Sequence, residues 1–133
     1  MGGIVTIQLV HEDLSERIIG AAMAVLNALR PGFDKKLYER ALVIELRKRS
    51  HTADQQKQYP VYYEEQQIGT LVPDSVVDAK VIVDPKVVSA FNDEHMTQMI
   101  GYLAISGLEL VLLLNFKFSK FQWKRIVRQT GRL

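Results

Sequence analysis

Apolar positions along the chain follow two periods. Leu14, Ile18, Ala22, Val25 and Leu29 recur at helical spacing, which predicts a helix running to about Leu29. Asp13-Leu14-Ser15-Glu16 reads as its capping box, with Asp13 as N-cap. Arg30-Pro31-Gly32 breaks the pattern. A second helix is predicted over Lys35–Arg49, with Leu37, Ala41 and Ile44 on one face. Its basic last turn, Arg47-Lys48-Arg49, suits a helix C-terminus. The period then changes to two. Val61–Tyr63, Ile68–Val77 and Val81–Val88 are rich in β-branched residues and separated by turns at Glu64–Gln67 and Asp78–Lys80. Tyr59, Tyr62 and Tyr63 suit sheet packing. Asn92 caps a third helix, with Asp93 and Glu94 in its first turn and Met96, Met99, Ile100 and Leu103 along it. Gly107 ends it. Leu108–Phe116 is nearly all apolar, as a strand buried on both faces must be. Trp123–Val127 is a last short strand.

The order α-α-β-β-β-α-β-β describes one α/β domain over residues 1–133, with a mixed sheet and a helical crossover. Residues 1–12 precede it as an arm or edge strand. An apolar share of 47% is enough for a core and leaves room for a homodimer. No cysteine is present, which excludes disulfides, thiolate metal sites and cysteine catalysis and is compatible with a reducing compartment. Apolar runs such as Leu110–Leu114 are far too short to span a bilayer. The N-terminus lacks the layout of a signal peptide. A cytoplasmic, membrane-free protein is therefore expected. Gly2 and Thr6 match a loose acylation pattern, without a second anchor beside it. The three histidines lack zinc-site spacing, and neither a P-loop nor a Gly-x-Gly-x-x-Gly is present.

Charge is uneven. From Lys117 to Leu133 there are six bases (Lys117, Lys120, Lys124, Arg125, Arg128 and Arg132) and no acids, whereas 11 bases face 15 acids in the first 116 residues. Phe116, Phe118, Phe121 and Trp123 are interleaved with those bases. Such a stretch suits phosphate contacts and base stacking, or is a last strand with a solvated face. Lys117, Lys120, Lys124 and Arg125 are the candidate nucleic-acid contacts.

The chemistry gathers at one hairpin. With Ala79 at its centre, residues whose numbers sum to 158 face each other, so Asp74 lies opposite Asp84. Their Cβ atoms would be roughly 4.5–5.5 Å apart. Lys86, two residues beyond Asp84, points to the same face. Two carboxylates that close must share a proton or a cation. Mg²⁺ or Mn²⁺ suits such a pair, and a lysine beside it can position water and stabilise negative charge. The same residues could instead form a surface ion pair, and Pro85 could introduce a bulge.

Pro73-Asp74 followed by Asp84-Pro85-Lys86 resembles the PD-(D/E)xK signature of a large nuclease superfamily. From about Leu14 to Val127 the chain resembles the small bacterial proteins called the GxxExxY family. The likeness is carried by RPGFDKKLYERALVIELRKR, IGTLVPDSVVDAKVIVDPKVV, HMTQMIGYLAISGLELVLLLNFK and QWKRIV. The resemblance implies a restriction-endonuclease-like αβββαβ core, here with an extra N-terminal helix and a C-terminal strand. It implies that Asp74 and Asp84 bind Mg²⁺ or Mn²⁺, with the Pro85 carbonyl as a further donor. It makes Lys86 the catalytic lysine and Gln98 a supporting glutamine. The function implied is hydrolysis of phosphodiesters in DNA or RNA. His95, Gln98 and Tyr102 share one helix face, which either lines the site or faces solvent. One position departs from the family: Gly32 and Tyr38 are in place, but Lys35 stands where the name motif has glutamate. Its charge would compete with a metal. Asp34 and Glu39 are expected to point elsewhere, and Glu45 to form a surface or interhelix pair. A nuclease-like module that binds nucleic acid or a protein without cutting is the alternative.

Overall fold

Residues 9–128 are described by a computed structural model. The acylation pattern at Gly2 and Thr6, most of the N-terminal arm, and Arg132 lie outside them. Two helices come first, α1 (Glu12–Leu29) and α2 (Lys35–Lys48). Five short strands follow: β1 (Ala53–Asp54), β2 (Tyr59–Tyr63), β3 (Gln66–Leu71), β4 (Ser75–Val77) and β5 (Val81–Lys86). Helix α3 (Asp93–Ser106) then leads to β6 (Leu110–Asn115) and β7 (Gln122–Val127). No helix among the described residues is long and apolar enough to cross a membrane.

Five strands form one sheet in the order β1-β4-β5-β6-β7. Only β5 and β6 run parallel, and α3 is the crossover between them. The series α2-β1-β4-β5-α3-β6 is the expected αβββαβ core, with α1 before it and β7 after it. Strand β6 is buried at every position, as its unbroken apolar run predicts. Its residues alternate between two cores. Leu110, Leu112 and Leu114 meet α1 and α2 with Val77, Val81 and Val83. Val111 and Leu113 meet Met99 and Leu103 of α3 with Val76, Ile82 and Ile126.

The strand boundaries differ from the expected ones in one region. The predicted strand Ile68–Val77 is two strands in two sheets, interrupted at Val72-Pro73-Asp74. Its first half pairs only with β2, as a separate ribbon inserted between β1 and β4. The turn of that ribbon is Glu64-Glu65, both at positive φ (47° and 68°). Tyr59 packs against the α3 core, but Tyr62 and Tyr63 are exposed and do not serve as sheet packing. The first strand of the core is instead the two-residue β1, too short to give a periodic signal.

Two helix details also differ. Helix α1 starts one residue before Asp13, after His11 at φ 50°, and no side chain caps it. The Ser15 hydroxyl is taken up elsewhere: it bonds to Glu12 O (2.8 Å) and accepts from Arg125 Nη1 (2.6 Å). In α2 the core face is Tyr38, Leu42, Val43 and Leu46, while Leu37 and Ile44 are 45% and 68% exposed. Tyr38 decides that orientation. Its ring stacks on Phe116 at 4.9 Å, and its hydroxyl donates to Arg30 O (2.6 Å) and accepts from Phe33 N–H (3.2 Å). The tyrosine thus clamps the turn at Arg30–Phe33 to the base of its own helix.

Candidate active site

The β4–β5 hairpin has the register read from the sequence. Val77 pairs with Val81, Val76 with Ile82 and Ser75 with Val83. Asp74 lies one residue beyond the last pair, on the side of Asp84. Asp78 and Ala79 turn the chain at φ 51° and 58°. The Asp78 carboxylate steadies this turn by accepting from Thr52 N–H (2.8 Å) and bonding His51 Nδ1 (2.7 Å). Pro85 causes no bulge: β5 and β6 stay in register from Val81–Leu110 to Lys86–Asn115.

Asp84 is 5% exposed. Lys86 Nζ is 3.3 Å from its Oδ1. The contact lacks hydrogen-bond geometry, so that buried oxygen has no hydrogen-bond partner. Burial pushes the Asp84 carboxyl above its ordinary pKa. Lys86 pulls it down, the charge of Asp74 pushes it up, and Lys35 pulls it down more weakly; the net direction is up. A buried carboxylate with a raised pKa and an oxygen left without a hydrogen bond is the kind of group that marks a candidate site.

Helix α2 delivers two more charges. Lys35 Nζ donates to Asp74 Oδ2 at 2.7 Å. Partial burial disfavours its charge, but the hydrogen bond and charge of Asp74, with Asp84 and Glu39, hold its pKa above that of a free lysine. Glu39 lies one helical turn after Lys35 and so shares its face. Its carboxyl is raised by burial and by Asp74, lowered by Lys35 and Lys36, and raised again by Asp84. The expectation that Glu39 points elsewhere is therefore wrong, and the i, i+4 spacing to Lys35 was the signal for it. Glu45 does form a surface pair, accepting from Arg49 Nε at 2.7 Å.

On α3, His95 is occupied in a capping box. Its N–H donates to Asn92 Oδ1 (2.9 Å) and its Nδ1 accepts from Asn92 N–H (3.2 Å). Gln98 is exposed, in a surface depression with Glu94, His95 and Thr97. Tyr102, one turn further along the same face, is half-buried. Its phenol is raised by burial and by the charges of Asp84 and then Asp74, which places it in the field of the site.

Of the basic stretch, Lys117 and Lys120 leave the C-terminal end of β6, beside the end of β5 that carries Lys86. Phe116 N–H donates to Lys86 O at 2.9 Å, fixing that loop to the site strand. Lys124 is exposed in β7. The Arg125 guanidinium is engaged by Ser15 Oγ and Val10 O, as a brace from β7 to the start of α1.

Compared with known proteins, the chain matches the PD-(D/E)XK nuclease superfamily over residues 12–126. The chain belongs to this superfamily. Among curated proteins no sequence matches. Among solved structures the chain is similar to LHK-Exo, whose crystal structure is in complex with dAMP. The TM-score is 0.50 and the identity 10%, over 86% of this chain and 83% of that one. That likeness confirms the restriction-endonuclease-like fold. Members of the superfamily usually use divalent metals, and the donor set here suits one. Asp74 and Asp84 offer hard oxygens, and the buried Asp84 Oδ1, 3.3 Å from Lys86 Nζ, is without a hydrogen bond that a metal ion would have to displace. Among the described residues no three His, Cys, Asp or Glu side chains form a ready metal cage, so the protein's share would be the two carboxylates.

Proposed function

We propose that this protein is a Mg²⁺- or Mn²⁺-dependent nuclease hydrolysing phosphodiesters in DNA or RNA. The observation that carries the proposal is the buried Asp84 carboxylate, with one unpartnered oxygen, beside Lys86 and on the side of Asp74. Asp74 and Asp84 would hold the metal, which supplies Lewis-acid stabilisation of phosphate charge and a more acidic water. Lys86, 13% exposed, would orient a water and stabilise the negative charge that develops on the phosphate. Gln98 would approach from α3 to support the substrate, with Tyr102 behind it. Lys117 and Lys120 would grip the backbone at the same end of the sheet, and Lys124 further along. The dAMP held by LHK-Exo favours DNA as the first substrate to try.

The test incubates the protein with labelled single-stranded, duplex and branched DNA, and with RNA, with and without Mg²⁺ or Mn²⁺. Cleavage should need the ion. Lys86→Ala should slow it by about 10²-fold or more. Cleavage that persists in chelator, or that is unchanged in Asp84→Asn, would sink the proposal. The 2.7 Å bond from Lys35 to Asp74 favours one other reading, a module that binds nucleic acid without cutting. In that case binding weakens steeply with salt, while no substrate is cut at any ion concentration.

A further inference from the structure

We infer that the Lys35 ammonium stands in for a second divalent cation, so that the Asp74–Asp84 pair takes one metal ion and not two. The inference rests on the metal-dependent reading above. Lys35 already occupies Asp74 Oδ2 at 2.7 Å, whereas Asp84 Oδ1 is buried without a hydrogen-bond partner. The site thus has one carboxylate held by Lys35 in a hydrogen-bonded ion pair, and one whose Oδ1, 3.3 Å from Lys86 Nζ, is left without a hydrogen bond.

The charges agree with that division. Three carboxylates (Asp74, Asp84 and Glu39) and two ammoniums (Lys35 and Lys86) act on one another here; of the exposed neighbours, Lys36, which acts on Glu39, and Asp34, at the cleft rim, offset each other. When all are ionised they leave a formal charge of −1. One divalent ion turns that to +1, which a phosphate group then balances. Two would leave +3 in a half-buried cleft, at a large Coulombic cost. An acid at position 35 would give −3, and two divalent ions would then be needed to reach the same +1. Lys35 and Lys86 also line one cleft of about 360 Å³, with Phe33, Asp34, Val87 and Val88. A substrate phosphate entering there meets both ammoniums. Lys35 would therefore act on charge in the way a second ion does, but at a fixed place and at any ion concentration.

Counting bound Mn²⁺ by electron paramagnetic resonance, with calorimetry for affinity, tests this on the whole chain without any need for cleavage. The natural protein should bind one ion, and Lys35→Glu should bind two. Lys35→Gln, which removes charge without adding an acid, should bind the first ion roughly tenfold more tightly. Circular dichroism and thermal melts would confirm that each variant is folded. Two ions in the natural protein, or one in both the natural protein and Lys35→Glu, would overturn the inference and leave the nuclease reading standing. No ion in the natural protein but one in Lys35→Glu would mean that Lys35 excludes metal altogether, and both readings would fall. No ion in any variant would overturn both as well.

Discussion

Asp84 is under opposed influences that its neighbours make measurable. Burial raises its pKa and Lys86 is the strongest opposing influence. A raised folded-state value means that the folded protein holds the proton more firmly than the unfolded chain. The contribution of Asp84 to stability is then complete below the unfolded value, about 3.9, and is lost as pH rises through the folded one. Removing Lys86 should widen that window. In Lys86→Ala the Asp84 carboxyl, followed by carbon NMR, should titrate at higher pH than in the natural protein. Lys35→Ala should move it the same way by less, because Lys35 opposes more weakly. An unchanged titration in Lys86→Ala would show that the ammonium does not hold the carboxylate. This charge balance was only partly legible in the sequence. The placement of Asp74 on the side of Asp84 follows from the strand period and a turn centred on Ala79. The grip of Lys35 on Asp74 joins residues 39 apart through the placement of α2, which no local pattern encodes.

Elements were legible where one face of a regular period meets the core, and misread where two apolar faces compete. Helix α2 carries apolar residues on more than one side, and a large aromatic with a polar tip, Tyr38, decides which side is buried. Leu42→Ala should therefore cost about 2–5 kcal/mol in urea unfolding. Ile44→Glu should stay within about 0.5 kcal/mol, because the side chain is mostly in solvent. A large loss in Ile44→Glu would mean that this face is covered in solution. The hairpin that sets the site offers a prediction of the opposite sign. Ala79 sits at φ 58°, where a Cβ is strained. Ala79→Gly should relieve that strain and raise stability by about 1 kcal/mol, with metal affinity unchanged. A drop in stability would mean that chain entropy outweighs the strain. The ribbon turn at Glu64-Glu65 falls within the turn read at Glu64–Gln67, although both residues take the positive φ that Asn-Gly usually signals.

At the scale of the whole molecule, the charge asymmetry of the chain becomes an asymmetry of place. The basic residues after β6 are not an appended tail. The parallel pairing of β5 with β6 puts the end of one strand, with Lys86, beside the end of the other, from which Lys117 and Lys120 emerge. Arg125 braces α1 from the strand beyond. A nucleic-acid backbone crossing the Asp74, Asp84 and Lys86 side chains would thus meet Lys117 and Lys120 at once, and Lys124 only if it continued along β7. Each phosphate contact with duplex DNA contributes about 0.9 to the slope of log affinity against log salt. The double variant Lys117→Ala/Lys120→Ala should therefore lower that slope by about 1.8, in anisotropy titrations across a KCl series with Lys86→Ala as background to prevent cutting. Lys124→Ala should lower it by less than 0.9, and Arg125→Ala should cost folding stability more than slope. A full slope retained in the double variant would move the path of the nucleic acid away from the β6–β7 loop. It would then have to reach Lys86 from the α3 side, across Gln98.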